Sequence, residues 1–135
     1  MILHTSLALR QARLQAVLDA LSVGGSPSLC LYEGGMPSTP SASPSGALLA
    51  SLPWSGSAGT VGVDGADALL TLTLPDLALA VAGGTIGFAR LVNGAGVGVI
   101  DADVSITPGA AVLLLDTLTV YAGGQVTLLA ATLRE

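Results

Sequence analysis

The hydrophobic positions change their period once along this chain. From Ser6 to about Ser22 they recur at helical spacing. At about 100° per residue, Leu7, Leu14, Val17, Leu18 and Leu21 fall on one arc, with Gln15 and Asp19 away from it. Thr5 or Ser6 can cap the start, because a short oxygen side chain accepts a bond from an orphaned amide of the first turn. Gly24 and Gly25 end it, since glycine takes the left-handed conformation without steric cost. The pattern predicts one amphipathic helix over about residues 6–22. Arg10 falls inside the apolar arc, between Val17 and Leu21, where it must snorkel to water or meet a carboxylate or a partner's carbonyls.

Beyond the helix the pattern is that of short strands. Leu29 to Tyr32 reads as a first strand and Ala47 to Trp54 as a second, with Leu48, Leu49 and Leu52 available to a core. Between them, about residues 35–46 are Ser, Pro, Thr, Gly and Ala apart from Met36, too poor in apolar surface to fold alone, and predict a mobile surface loop or an arm reaching a neighbouring subunit. Thr60 to Val63 is a short extended piece. Leu70, Leu72 and Leu74 then alternate with Thr71 and Thr73, the period of a strand with one wet face. After Pro75 and Asp76 the alternation restarts, with Leu77, Leu79 and Val81 on one face. Ala78, Ala80 and Ala82 on the other are small enough to admit another sheet or subunit.

Asn93-Gly94-Ala95-Gly96 separates apolar runs at Thr85 to Val92 and Val97 to Ile100, a hairpin signal. Val104 to Thr107, Ala111 to Tyr121 and Gln125 to Leu133 complete the series. About eight short strands with no interleaved helices predict a mainly β fold: one domain over 1–135, an antiparallel β-sandwich or jelly roll carrying one N-terminal amphipathic helix. A chain of 135 residues is long enough for a single core.

Composition narrows what such a domain can do. Hydrophobic residues make up 51% of the chain, yet Gly, Pro, Thr or Asp interrupts every apolar run short of the roughly 20 residues of a spanning helix. One Trp, two Tyr and one Phe are few for the aromatic girdles of a membrane barrel, and the opening residues lack the basic region and apolar core of a signal peptide. The expectation is a soluble protein with no membrane partner. Charged residues are only 10% and Lys is absent, so the surface is Ser, Thr, Gly and Ala or is covered by other protein. With a net charge of −5 and four arginines, the chain is poorly suited to neutralising phosphates, which argues against nucleic acid.

Reactive chemistry is sparse. The single cysteine, Cys30, sits within a predicted strand and the single histidine, His4, near the start, which is weak support for a nucleophile–base pair and too few ligands for zinc. Asp64, Asp67, Asp101 and Asp103 read as turn carboxylates rather than a calcium loop. Gly94, Gly96 and Gly98 lack the third glycine of a phosphate-binding loop. Trp54 and Tyr121 could line a sugar site if they share an exposed face; otherwise Trp54 is a core plug. No cofactor or metal is expected, and no enzyme activity.

The run Leu9-Arg10-Gln11-Ala12-Arg13-Leu14-Gln15-Ala16-Val17-Leu18-Asp19-Ala20-Leu21, then Leu29-Cys30-Leu31-Tyr32-Glu33-Gly34, a Pro-containing loop and Gly46-Ala47-Leu48-Leu49-Ala50, resembles small virion structural proteins of tailed bacteriophages. The hairpin Ile86-Gly87-Phe88-Ala89-Arg90-Leu91-Val92-Asn93-Gly94 looks like their mid-chain strand and turn, while the Ala, Leu and Gly-rich middle departs from them. Within that group the size and composition are most similar to a capsid cement or decoration protein with a jelly-roll fold. The resemblance implies a virion protein on the capsid surface, made in the cytoplasm of a bacterial host. Its partners would be the major capsid protein and, in a dimer or other symmetric homo-oligomer, further copies of itself. Arg10, Arg13 and Arg90 are then candidates for ion pairs to the capsid, and Trp54 for a contact residue. A tail or head-completion component, or a carbohydrate-binding adhesin module, is the alternative.

Overall fold

The computed structural model describes residues 2–135 and is mainly β, with one helix and twelve strands among those residues. The helix α1 (Leu7–Leu21) begins as expected: the hydroxyl of Ser6 accepts from the amide of Leu9 at 3.1 Å. Leu14, Leu18 and Leu21 are buried, and Leu7 and Val17 pack partly against the core. After Ser22 the chain reverses through Gly24 (φ +79°) and Gly25 (φ +117°).

The first sheet is built on β6 (Gly84–Val92), the longest strand. Along one edge β6 pairs with β1 (Ser28–Glu33), which pairs in turn with β2 (Leu48–Pro53). Its other edge is shared by β7 (Gly98–Ala102) and β10 (Thr119–Val120). Ile86, Phe88, Ala89, Arg90 and Leu91 are all buried, so β6 is covered on both faces. The β6–β7 turn is held by Asn93, whose side-chain oxygen accepts from Ala95 and Val97 at 3.0 Å each. Gly94 donates its amide to the carbonyl of Val23, so the hairpin tip sits under the end of α1. A Cβ there would lie 2.5 Å from the Gly24 backbone.

The second large sheet runs β3 (Gly59–Asp64), β4 (Asp67–Leu72), β12 (Leu128–Arg134), β9 (Leu113–Leu115), β8 (Val104–Ser105), with α1 packed across β3 and β4. A third ladder joins β5 (Ala78–Leu79) to β11 (Gln125–Val126). All pairings are antiparallel except β8 with β9, which is parallel. The strands therefore divide five, two and five, and the observed class is the coarser one: a mainly β fold of several, largely antiparallel, sheets.

Two long strands expected from the sequence are each cut in two, for one reason. Asp116 and Thr127 meet: Asp116 donates its amide to the Thr127 carbonyl at 3.2 Å and its carboxylate accepts from the Thr127 amide at 2.9 Å. The stretch 111–121 changes ladder just after this contact, from β9 to β10, and 125–133 changes across it, from β11 to β12. Apolar periodicity carries no mark of such a switch, because both halves remain half-buried. The stretch 77–81 keeps only two residues of strand, and 104–107 likewise two. In the latter case Ser105 folds its hydroxyl back onto the amide of Thr107.

The loop 35–46 is not a free arm. It lies on the sheet face that carries Tyr32, Phe88 and Arg90, with the carbonyls of Thr39 and Ala42 accepting from Arg90. The sequence shows its lack of apolar residues but not the buried cation that binds its backbone.

Gly87 and Gly35 test the close packing of this sheet. A Cβ on Gly87 would fall on the carbonyl oxygen of Gly34, whereas one on Gly35 meets nothing within 4 Å. Gly87→Ala is expected to destabilise the fold by about 1–3 kcal/mol, as overpacking does, and Gly35→Ala to stay within about 0.5 kcal/mol of the parent. Thermal melts followed by circular dichroism check both.

Candidate functional site

The register of the first sheet sets three residues in a row: Cys30 on β1 is opposite Arg90 on β6, and Arg90 is opposite Asp101 on β7. Arg90 is 6% exposed and makes a bidentate pair with Asp101, Nε to Oδ1 at 2.7 Å and Nη2 to Oδ2 at 3.0 Å. Nη1 donates to the Ala42 carbonyl at 2.8 Å and Nη2 to that of Thr39 at 3.4 Å. The hydrogen bonds to Asp101 push the guanidinium pKa up, against the effect of burial. Phe88 lies beneath the guanidinium, 5.8 Å from ring centre to Cζ, and stacks on Tyr32 at 5.3 Å. This corrects the expectation that Arg90 reaches a partner: its charge is consumed inside the fold.

The other arginines are engaged too. Arg13 forms an ion pair with the carboxylate of Glu135, and Arg10 donates through Nη1 to the Glu135 carbonyl at 3.2 Å. Arg10 Nε is buried without a partner. Arg134 bridges Asp64 at 2.9 Å and Asp67 at 3.1 Å. Asp19, Glu33, Asp76, Asp103 and Asp116 are the acids without a cation, and they carry the net charge of −5. Asp103 and Asp116 accept backbone amides, which is the expected turn chemistry.

Trp54 is 2% exposed and its indole N–H donates to the Thr73 carbonyl at 2.8 Å. It is a core residue, which corrects the expectation that it meets a partner; Tyr121 is 74% exposed and stands without it. The condition for a sugar platform, both rings on one exposed face, is not met.

The chemistry available for catalysis is equally thin. The Cys30 sulfur lies 3.8 Å from the Ser51 hydroxyl, burial pushes its pKa up, and His4 is exposed with no hydrogen bond to it. A broad cleft of about 630 Å3 opens between α1 and the 109–112 turn, lined by Leu14, Val17, Val112 and Leu133. Its carboxylates, Asp103 and Glu135, are held by the Val112 amide and by Arg13. Among the described residues there is no group of three metal-ligating side chains, and no helix is long and apolar enough to cross a membrane.

What the surface does present is a row of aliphatic side chains. Leu74, Leu77, Leu79 and Val81 are each 61–68% exposed, interrupted only by short or polar residues and by Asp76. The alternation was legible in the sequence, and the structure decides which face turns inward. Val81 donates its amide to Leu49 on β2, and Ala80 exchanges bonds with Gly123 and Gly124 next to β11, each at 2.8 Å. The segment is thus tied through its backbone to neighbours on both sides. Ala80 is buried and Ala78 and Ala82 pack partly against the core, while the larger side chains face out.

Comparison with protein-family models, curated protein sequences and solved structures returned no match for this chain.

Two outcomes follow from the site. Arg90→Ala leaves Asp101 buried and unpaired and frees the 39–42 backbone, and should destabilise the protein by roughly 3–5 kcal/mol, read as a lower urea midpoint. Cys30 should resist iodoacetamide in the native protein at pH 8 and react once unfolded. Because its folded pKa lies above the ordinary thiol value of 9.0, its contribution to stability is complete below that value and is lost as pH rises through the folded pKa. Urea melts across that range, compared with Cys30→Ala, measure the loss.

Proposed function

We propose that the protein is a non-enzymatic virion structural protein that binds the outside of a bacteriophage capsid and cements neighbouring major capsid proteins. The virion assignment rests on the resemblance of residues 9–21, 29–34, 46–50 and 86–94. The observation that carries a structural, binding role is the exposed row Leu74, Leu77, Leu79 and Val81 on a chain whose arginines are all engaged internally. A monomer gains nothing from holding four large aliphatic side chains in water on a segment tied down by its backbone, whereas a covered subunit does.

Burying a Leu or Val side chain fully is worth about 1.5–3 kcal/mol, so a row of four supplies a modest contact per copy. Repetition over a shell turns many modest contacts into large total stabilisation. Asp76 within the row favours a capsid surface that sets an Arg or Lys beside an apolar strip. No cofactor, nucleic acid or membrane enters this role.

The first test is a count of this chain in purified particles against the major capsid protein. Hundreds of copies support a cement, a dozen or fewer move the protein to a vertex, neck or tail, and absence removes the virion role. With a cement in hand, Leu77→Asp combined with Leu79→Asp should leave the melting temperature nearly unchanged, because both side chains are exposed. It should weaken binding to heads lacking the protein at least tenfold, about 1.4 kcal/mol, and such heads should open at lower temperature. Undiminished binding would exclude the row as the contact.

A further inference from the structure

The outer edge of β3 is the longest unbulged open edge in the molecule. β3 ends its sheet, and its six residues pair with β4 in unbroken register from Gly59 opposite Leu72 to Asp64 opposite Asp67. The pairings along β1, β2, β7 and β9 all contain register shifts, and the outer side of β2 is met by the amides of Asp76 and Val81. The two-residue loop at Gly65 (φ +62°) and Ala66 closes on a hydrogen-bonded pair, so Thr60, Gly62 and Asp64 bond to β4. The N–H and C=O groups of Val61 and Val63 therefore point away from β4, and among the described residues nothing bonds to them. The edge carries no Pro, Lys or bulge, devices that ordinarily protect such strands, and its one charge, Asp64, is paired with Arg134.

We infer that this edge is the seam of a symmetric dimer, in which β3 pairs antiparallel with β3 of a second copy about a two-fold axis at Gly62. The register is self-complementary. Outward-bonding Val61 falls opposite outward-bonding Val63 of the second copy, and the reverse, which gives both pairs their reciprocal hydrogen bonds. Asp64 falls opposite Thr60, so the two Asp64 carboxylates, each paired within its own copy with Arg134, do not face each other. The 54% exposed side chain of Val63 comes to lie beside Val61 of the second copy. Gly62 meets Gly62 in the closer, non-hydrogen-bonded kind of pair, where neither Cβ exists to hold the strands apart. The seam uses backbone bonds and needs no free cation, which this chain lacks. It stands independently of the virion reading.

Charge at position 62 tests it. A Cβ on Gly62 meets nothing within 4 Å and its φ is not positive, so the monomer accommodates a side chain there. Wild type should sediment as a dimer at micromolar concentration. Gly62→Asp and Gly62→Lys, each with wild-type circular dichroism, should sediment as monomers because like charges stand directly opposite across the axis. Mixing the two variants should restore a dimer containing one of each, read by native mass spectrometry. A monomeric wild type, a surviving dimer in either variant, or a mixture that fails to pair would overturn the seam. Should a charge at 62 unfold the chain, Val63→Pro removes only an outward amide, and a dimer that survives it has the same force.

Discussion

A buried ion pair holds the first sheet and the long loop to each other. Arg90 and Asp101 lie on adjacent strands of one ladder, and their pair is nearly out of solvent. Taking two charges from water is costly, and mutual attraction repays the cost only when the remaining donors are satisfied. The carbonyls of Thr39 and Ala42 supply that satisfaction. The dependence runs both ways: the loop has too little apolar surface to order itself, and the guanidinium would be left with unmade bonds without the loop. A stretch that composition alone assigns to disorder is thus fixed by a residue about fifty positions away.

This is also where the sequence was least informative. The helix was legible in full, from its Ser6 cap to its glycine stop, because period, cap and terminator are local signals. The mainly β class, the early strands and the hairpin around Asn93 were legible for the same reason. The breaks at Asp116 and Thr127 were not, since a single pair of backbone bonds between distant residues redirects two strands at once. Among the candidate residues, the sequence suggests Arg90 and Trp54 as outward contacts, and both are inward. A lone arginine between Ala89 and Leu91 reads the same in sequence whether its carboxylate is on a partner or eleven residues along the chain. The aspartate that answers it, Asp101, was read only as a turn residue.

The row from Leu74 to Val81 shows how tertiary bonds overrule pattern. Alternation of leucine and alanine marks two faces and leaves open which is buried, and the usual inference sends the larger side chains inward. Here the backbone is tied to β2 and to the turn before β11, and it is the alanines that meet the core. The chain thereby keeps a tight interior at the cost of an apolar exterior. Its surface otherwise has few charges with which to offset such exposure.

The chain has no lysine, so a protease of tryptic specificity can act only after Arg10, Arg13, Arg90 and Arg134. Two of these lie within α1, one in the central strand β6 and one in β12, and none is in a turn or in the long 35–46 loop. Loops are where folded chains are ordinarily nicked. The bonds after Arg10, Arg13 and Arg90 lie inside hydrogen-bonded elements and the one after Arg134 at the very end of β12, so internal cleavage must wait for α1 or β6 to open, and its rate becomes a direct report on how often they do.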